Sequence, residues 1–568
     1  MASLRRITTL FLGIAIGAAV WTGAAQGVIA APQSSADAAS ALRNAQKLFD
    51  AGKWAEAIRA YENFQNQFPN EPAAAETPFL IAEALVQLGQ YREAQSLLLQ
   101  HFDDAPSEGR KALAMFRIGE CAYFLGEHDK AHHELETFRS QYPNHEKDIY
   151  ALRYLGEILL DTEEANPDEA KELFLAAIKK YEKMAASKKE AQLWLEEAKM
   201  GLAQAQAASD EIPAAISTLK RIAEDTKSSL AENARVRLGR LYYDAQRYNE
   251  AIAALKPLEK AAKGPNKNWG LYWLGRAYLA RQASGDDALA IAAFKAVHIS
   301  QESPQEPPVP EVAYFLGQAY RTAGQWENAI GRFEKSYYDY PESRWADDAF
   351  LALMQTTLDS AKRKADLEKI TVEYYATAAS DFTSSDLYPQ MEQIVGIAFI
   401  RSQQYKDAKQ IFSRLTERYS KGADADSTGL PQAFVNDNYL YLAMAELGQQ
   451  NPRNALDAIN NIAATNDTTD DFRLAVTEIA ANAHFMLKDY QRTIAPLEEH
   501  IRLRSVDPAT PRLYEDLAFC QIMTKQAAAA QRTIDEMRNL DPNLIGGEES
   551  ILKAEQRLAI AAVQQKET

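Results

Sequence analysis

Glycine, alanine and proline return at a fixed interval near the N-terminus. The segments AGKWAEAIRAYENFQNQFP, LGQYREAQSLLLQHFDDAP and LGEHDKAHHELETFRSQYP set Gly52, Gly89 and Gly126 in register, each 37 residues after the last. Ala57, Ala94 and Ala131 keep the same step, as do Pro69, Pro106 and Pro143. A period of this length marks an array of like units rather than one globular core. Within each unit the apolar residues fall three and four apart, the rhythm of an amphipathic helix on either side of the glycine. The glycine ends the first helix and the proline closes the second. Such a hairpin cannot bury its apolar face alone, so copies must stack.

The stretch YFLGQAYRTAGQWENAIGRFEKSYYDYP, residues 314–341, carries the same plan. Its Leu316, Gly317, Tyr320, Gly324, Trp326, Ala329, Phe333 and Pro341 match the pattern of the tetratricopeptide repeat family, which the chain resembles. Further copies read as YLGEILL near 154, RLGRLYYDAQRYNEAIAAL near 237, YWLGRAYLARQ near 272 and IVGIAFIRSQQYKDAKQIFSRL near 394. Those around 438–462, 472–500 and 513–542 have lost most of their glycines. The resemblance implies an all-α fold, a right-handed superhelical solenoid of about thirteen hairpins closed by a C-terminal capping helix.

The expected organisation is a signal or anchor over 1–30, a first array over 38–300, a proline-rich joint over 301–309, a second array over 310–543, and a cap and tail over 544–568. The joint lies within SQESPQEPPVP, where four prolines interrupt the helical rhythm, and KGADADSTGLPQAF at 421–434 reads as an insertion loop. At the N-terminus Arg5 and Arg6 precede LFLGIAIGAAV, and small residues lead on to VIAAPQ, the layout of a secretory signal cleaved after Ala30. No charge falls between Arg6 and Asp37, a run long enough to span a bilayer, so an uncleaved anchor is the competing reading. The expected location is exported, periplasmic or envelope-associated, with membrane contact only through such an anchor.

Net charge is −17, and becomes −19 once the two signal arginines are removed. A surface this acidic repels phosphate backbones and argues against nucleic-acid partners. Of the two cysteines, Cys121 follows Gly119 by two residues and Cys520 follows Ala518 by two, where other repeats carry Ala277, Ala319 and Ala398. Both read as small buried packers, too many repeats apart for a disulfide.

Chemistry is sparse. No phosphate loop, nucleophile elbow or His-Glu-x-x-His helix is present. Ser217 and Lys220 match a Ser-x-x-Lys pair without its partner motifs. DADSTG at 424–429 opens like a calcium loop, but its twelfth position is Val435 instead of a glutamate. His128, His132 and Glu136 share a helical spacing, with His128 in the aromatic place filled elsewhere by Trp54 and Tyr91. The chain is therefore expected to be no enzyme, with no catalytic residue, no cofactor and no metal site.

A binding surface remains. In the family the first helix of each unit lines the concave face, so the resemblance implies that its outward residues meet partners. Three neighbouring first helices offer Arg237, Arg240 and Tyr243; Trp269, Tyr272 and Arg276; and Tyr314, Gln318 and Arg321, each trio on one helical face. Arginine and aromatic groups in such a stripe suit an extended acidic peptide. The alternative is internal pairing with Glu232, Asp244 and Glu311. The stripe departs from the family's carboxylate clamp, which uses lysines and asparagines, so recognition of a chaperone C-terminus is not expected.

Two function classes follow. One is a non-catalytic envelope scaffold that binds protein or peptide partners with acidic segments; QFPNEPAAAE, QYPNHEKDIYAL and DYPESRWADDAF resemble exported tetratricopeptide proteins of outer-membrane assembly and of the Tol-Pal system. The other is a regulatory or glycan-binding arm of an envelope polysaccharide enzyme system.

Overall fold

The computed structural model describes residues 36–567 apart from 163–164, 186–189, 300–302, 304, 420–429, 464–468 and 546. The signal reading and the DADSTG motif therefore lie outside the described residues. All regular structure among the described residues is helical. Among the described residues thirteen helical pairs follow one another, from Ala36–Asp50 with Trp54–Gln67 to Thr510–Met523 with Ala527–Arg538, and Glu549–Glu567 comes last.

The chain divides into two compact units, Met1–Phe315 and Leu316–Thr568. The helix Val309–Thr322 after the proline-rich segment thus begins in one unit and ends in the other. The insertion expected over 421–434 ends sooner, because Pro431 takes the position before the first turn of the helix Gln432–Gly448.

Two local devices recur among the pairs. The first is the turn: Gly324 adopts φ +67°, in the left-handed region that a side chain disfavours. The weaker repeats keep this geometry without glycine, with Asp210, Gln246, Gln403, Gln450, Lys488 and Lys525 all at φ between 59° and 63°. The second is close approach of the paired helices. A Cβ on Gly317 would stand 2.7 Å from the Phe333 ring, and Gly275 meets Phe294 at the same 2.7 Å. Gly119 with Leu135, Gly156 with Phe174, Gly239 with Leu255 and Gly396 with Phe412 repeat the contact. Around them Ala57, Ala94, Ala131, Ala251, Ala329 and Ala408 are fully buried, each leaving room for a neighbouring large side chain.

One second helix is irregular. Lys364–Glu368 passes through a wider π segment, Lys369–Tyr374, before Tyr375–Asp381 resumes the α form. No helix among the described residues is long and apolar enough to cross a membrane.

Candidate functional site

The first-helix face of the first unit carries a network of charged and aromatic side chains that ties each repeat to the next. Arg117 forks onto Glu83 of the preceding first helix, Nε to Oε1 at 2.8 Å and Nη2 to Oε2 at 2.6 Å, and also binds Glu120. The Tyr154 hydroxyl donates to Glu120 at 2.9 Å, and that of Tyr123 to Glu157 at 2.6 Å. Arg153 lies between Glu157 and Glu197. Most of these bonds link residues 34 apart, one repeat.

Burial acts on both members of such pairs. It pushes the Glu83 carboxyl up, but the charge and hydrogen bonds of Arg117 outweigh it and hold Glu83 below the ordinary carboxylate value. At Glu157 burial wins over Arg153 and Tyr123, and the carboxyl stays raised.

Further along, the network becomes cationic and aromatic. Arg237 donates to Asn233 at 3.0 Å and to Gln204 at 3.4 Å; burial, only partly opposed by Glu157, pulls its pKa down to about 10. Arg240 lies 3.5 Å from Asp244 and covers the Trp273 ring at 5.4 Å. Arg276 packs on four rings: Phe315 at 4.3 Å, Trp273 at 4.8 Å, Tyr243 at 4.9 Å and Tyr272 at 5.6 Å. It donates to the Tyr272 hydroxyl at 3.0 Å and to that of Tyr243 at 3.3 Å, and its nearest carboxylate, Glu311, is 3.9 Å away. Tyr272 in turn donates to Glu311. Two buried donors at this place have no acceptor, Nε1 of Trp273 and Nε of Arg276.

Of the nine residues that the sequence singled out, Arg240, Tyr243, Tyr272 and Arg276 gather around Trp273. Trp269 is buried at their edge and donates from Nε1 to the Gln305 carbonyl at 2.8 Å, while Tyr314 meets Phe315 edge to face. Arg237 is a neighbour of the cluster through its own polar partners. Gln318 and Arg321 belong to the second unit, where Arg321 pairs with Asp359 at 2.8 Å. The internal pairs Arg240 with Asp244 and Arg276 with Glu311 are both present.

Sequence reading missed Trp273 and Phe315. Both stand two residues before a close-packing glycine, the place also held by Arg117, Tyr154 and Arg237. Large side chains at that one position were the available signal.

Elsewhere, His128 approaches Asp161 at 3.4 Å, and no cluster of three histidine, cysteine or acidic side chains able to hold a metal occurs among the described residues. Ser217 and Lys220 lie on the second helix Ile212–Glu224. Cys121 and Cys520 are buried free thiols.

Residues 6–197 match a family model described as a tetratricopeptide repeat-like domain, and residues 236–307 and 312–343 match two models described as tetratricopeptide repeats. The chain is built of tetratricopeptide repeats. No curated protein matches this tetratricopeptide chain. Among solved structures, the crystal structure of the APC/C hetero-tetramer Cut9-Hcn1 is similar over 90% of this chain and 96% of that one, at 14% identity and a TM-score of 0.35.

Proposed function

We propose that the protein is a non-catalytic interaction scaffold, exported to the cell envelope, that holds extended acidic segments of protein partners along the first-helix face of its first unit. One observation carries this reading: the guanidinium groups of Arg240 and Arg276 converge on the indole of Trp273. Cations held on ring faces keep their charge while losing mobility, which favours a carboxylate arriving from outside. The N-terminal layout and the repeat-boundary segments support the envelope assignment. The acidic balance of the chain speaks against nucleic acid, and membrane contact is confined to the N-terminal segment if it stays uncleaved.

The glycan-binding alternative would need ring faces open to sugars. Trp269, Tyr272 and Trp273 are only 8%, 0% and 5% exposed, which disfavours it.

The test is crosslinked capture from envelope fractions by the wild-type chain and by a variant with Arg240→Glu and Arg276→Glu, with circular dichroism of both. Loss of a partner with helicity unchanged supports the reading. An identical captured set, with the variant folded, overturns it.

A further inference from the structure

The glycine contacts give six repeats a common register, in which Leu135, Phe174, Leu255, Phe294, Phe333 and Phe412 are equivalent. Five residues before that point the other repeats carry Lys130, Glu169, Glu250, Asn328 and Asp407. The repeat of Phe294 carries Leu289 instead, and leaves it 47% exposed. Other leucines of the chain are as exposed, Leu99 at 48% among them, so what sets Leu289 apart is the polar character of its five counterparts.

Leu289 lies on the wall of a cavity of about 340 Å³ within the first unit. Leu271 and Tyr278 of the helix Pro265–Arg281 form one side, and Ala292, Ala293 and Ala296 of the helix Asp286–Ala296 leave the space on the other. Polar groups line it as well: Lys263, Lys267, His298 and the buried amide of Asn268, with a single carboxylate, Glu259. Lys267 donates to the Ala261 carbonyl at 3.1 Å. Two lysines against one acid make the lining cationic in a chain whose net charge is −17.

We propose that this cavity binds a free unbranched aliphatic monocarboxylate, its tail against Leu271, Leu289 and the alanines and its carboxylate at Lys263 and Lys267. The volume is at the lower end of small-molecule sites, and apolar walls with a few polar groups are their usual construction. Transfer of the tail out of water supplies the affinity and the lysines supply the orientation. None of Arg240, Trp273 and Arg276 lines the cavity, so the site is independent of the partner-binding reading.

Calorimetric titration of the full chain with decanoate, below its micellar concentration, tests the proposal. One molecule is expected to bind per chain. Decanol is expected to bind about tenfold more weakly, and the variants Leu289→Glu and Lys263→Glu to lose about tenfold or more in affinity. Both substitutions fall on exposed positions, and melting of each variant checks that the fold is kept. Absence of saturable binding, undiminished binding by the folded Leu289→Glu variant, or decanol binding as tightly as decanoate overturns the proposal.

Discussion

Gly201 packs so closely on Phe174 that a Cβ on the glycine would lie 2.3 Å from the ring atom Cε1. Gly156 meets the same ring from its own helix at 2.9 Å, so the phenyl group is held between two glycines. Gly201→Ala is expected to destabilise the first unit by about 2 kcal/mol through overpacking. The smaller ring-free side chain of Phe174→Leu should recover part of that loss in the double variant, a non-additivity that urea melts of the four proteins would measure. Gly324→Ala makes a contrast: no atom lies within 4 Å of its added Cβ, and the cost of about 1 kcal/mol comes from the left-handed backbone alone.

Glu83 and Glu157 should respond to acid in opposite senses. Glu83 is held low in the folded state, so its stabilisation is present above the unfolded value and is lost as pH falls through the folded one. Glu83→Gln is expected to cost about 3 kcal/mol at neutral pH, leaving Arg117 short of a counter-charge, and the penalty should shrink below about pH 4. Glu157 is held high by burial, so its ionisation opposes folding at neutral pH and the strain is relieved on protonation. The penalty of Glu157→Gln should therefore grow as pH falls. Thermal melts at neutral and acidic pH separate the two.

Arg276 is not replaceable by another cation. Lysine keeps the charge but not the planar group that covers Phe315, Trp273 and Tyr243 while donating to two tyrosine hydroxyls. Arg276→Lys is expected to destabilise by about 2 kcal/mol. Arg321→Lys, which changes a partly exposed pair with Asp359, should stay within about 0.5 kcal/mol of wild type. Chemical denaturation followed by circular dichroism reads both.

Both thiols should be inert in the native protein. Burial and the Glu120 carboxylate push Cys121 up to about 12, and burial with Asp516 does the same for Cys520. Iodoacetamide at neutral pH is expected to label neither until the chain is unfolded, when mass spectrometry should find two adducts per chain. Rapid labelling of the folded protein would contradict the packing described.

The repeats were legible because their signals are local. Gly52, Gly89 and Gly126 mark turns, and Gly317 marks a close approach, each through a constraint that acts within one hairpin. The turns at Gln450, Lys488 and Lys525 were not legible, since nothing in those side chains announces a left-handed backbone. The surface was harder for a different reason. Spacings of three and four place Tyr272 and Arg276 on one face of a helix, but cannot say whether that face meets the adjacent first helix or solvent. Tyr272 turned out fully buried against Glu311, while Arg276 remains one-fifth exposed. The bonds from Arg117 to Glu83 and from Tyr154 to Glu120 depend on stacking across a whole repeat, which a single helix does not encode.

Turn residues that hold a left-handed backbone without glycine also separate shape from vocabulary. A hairpin ending in Gln403 or Lys525 has the same bend as one ending in Gly324 at a cost spread over a chain that many stacked neighbours support. Individual repeats are thereby free to diverge in composition until they are no longer recognisable as copies, while the platform they build keeps its spacing. Such an array is suited to acquiring new surfaces one repeat at a time.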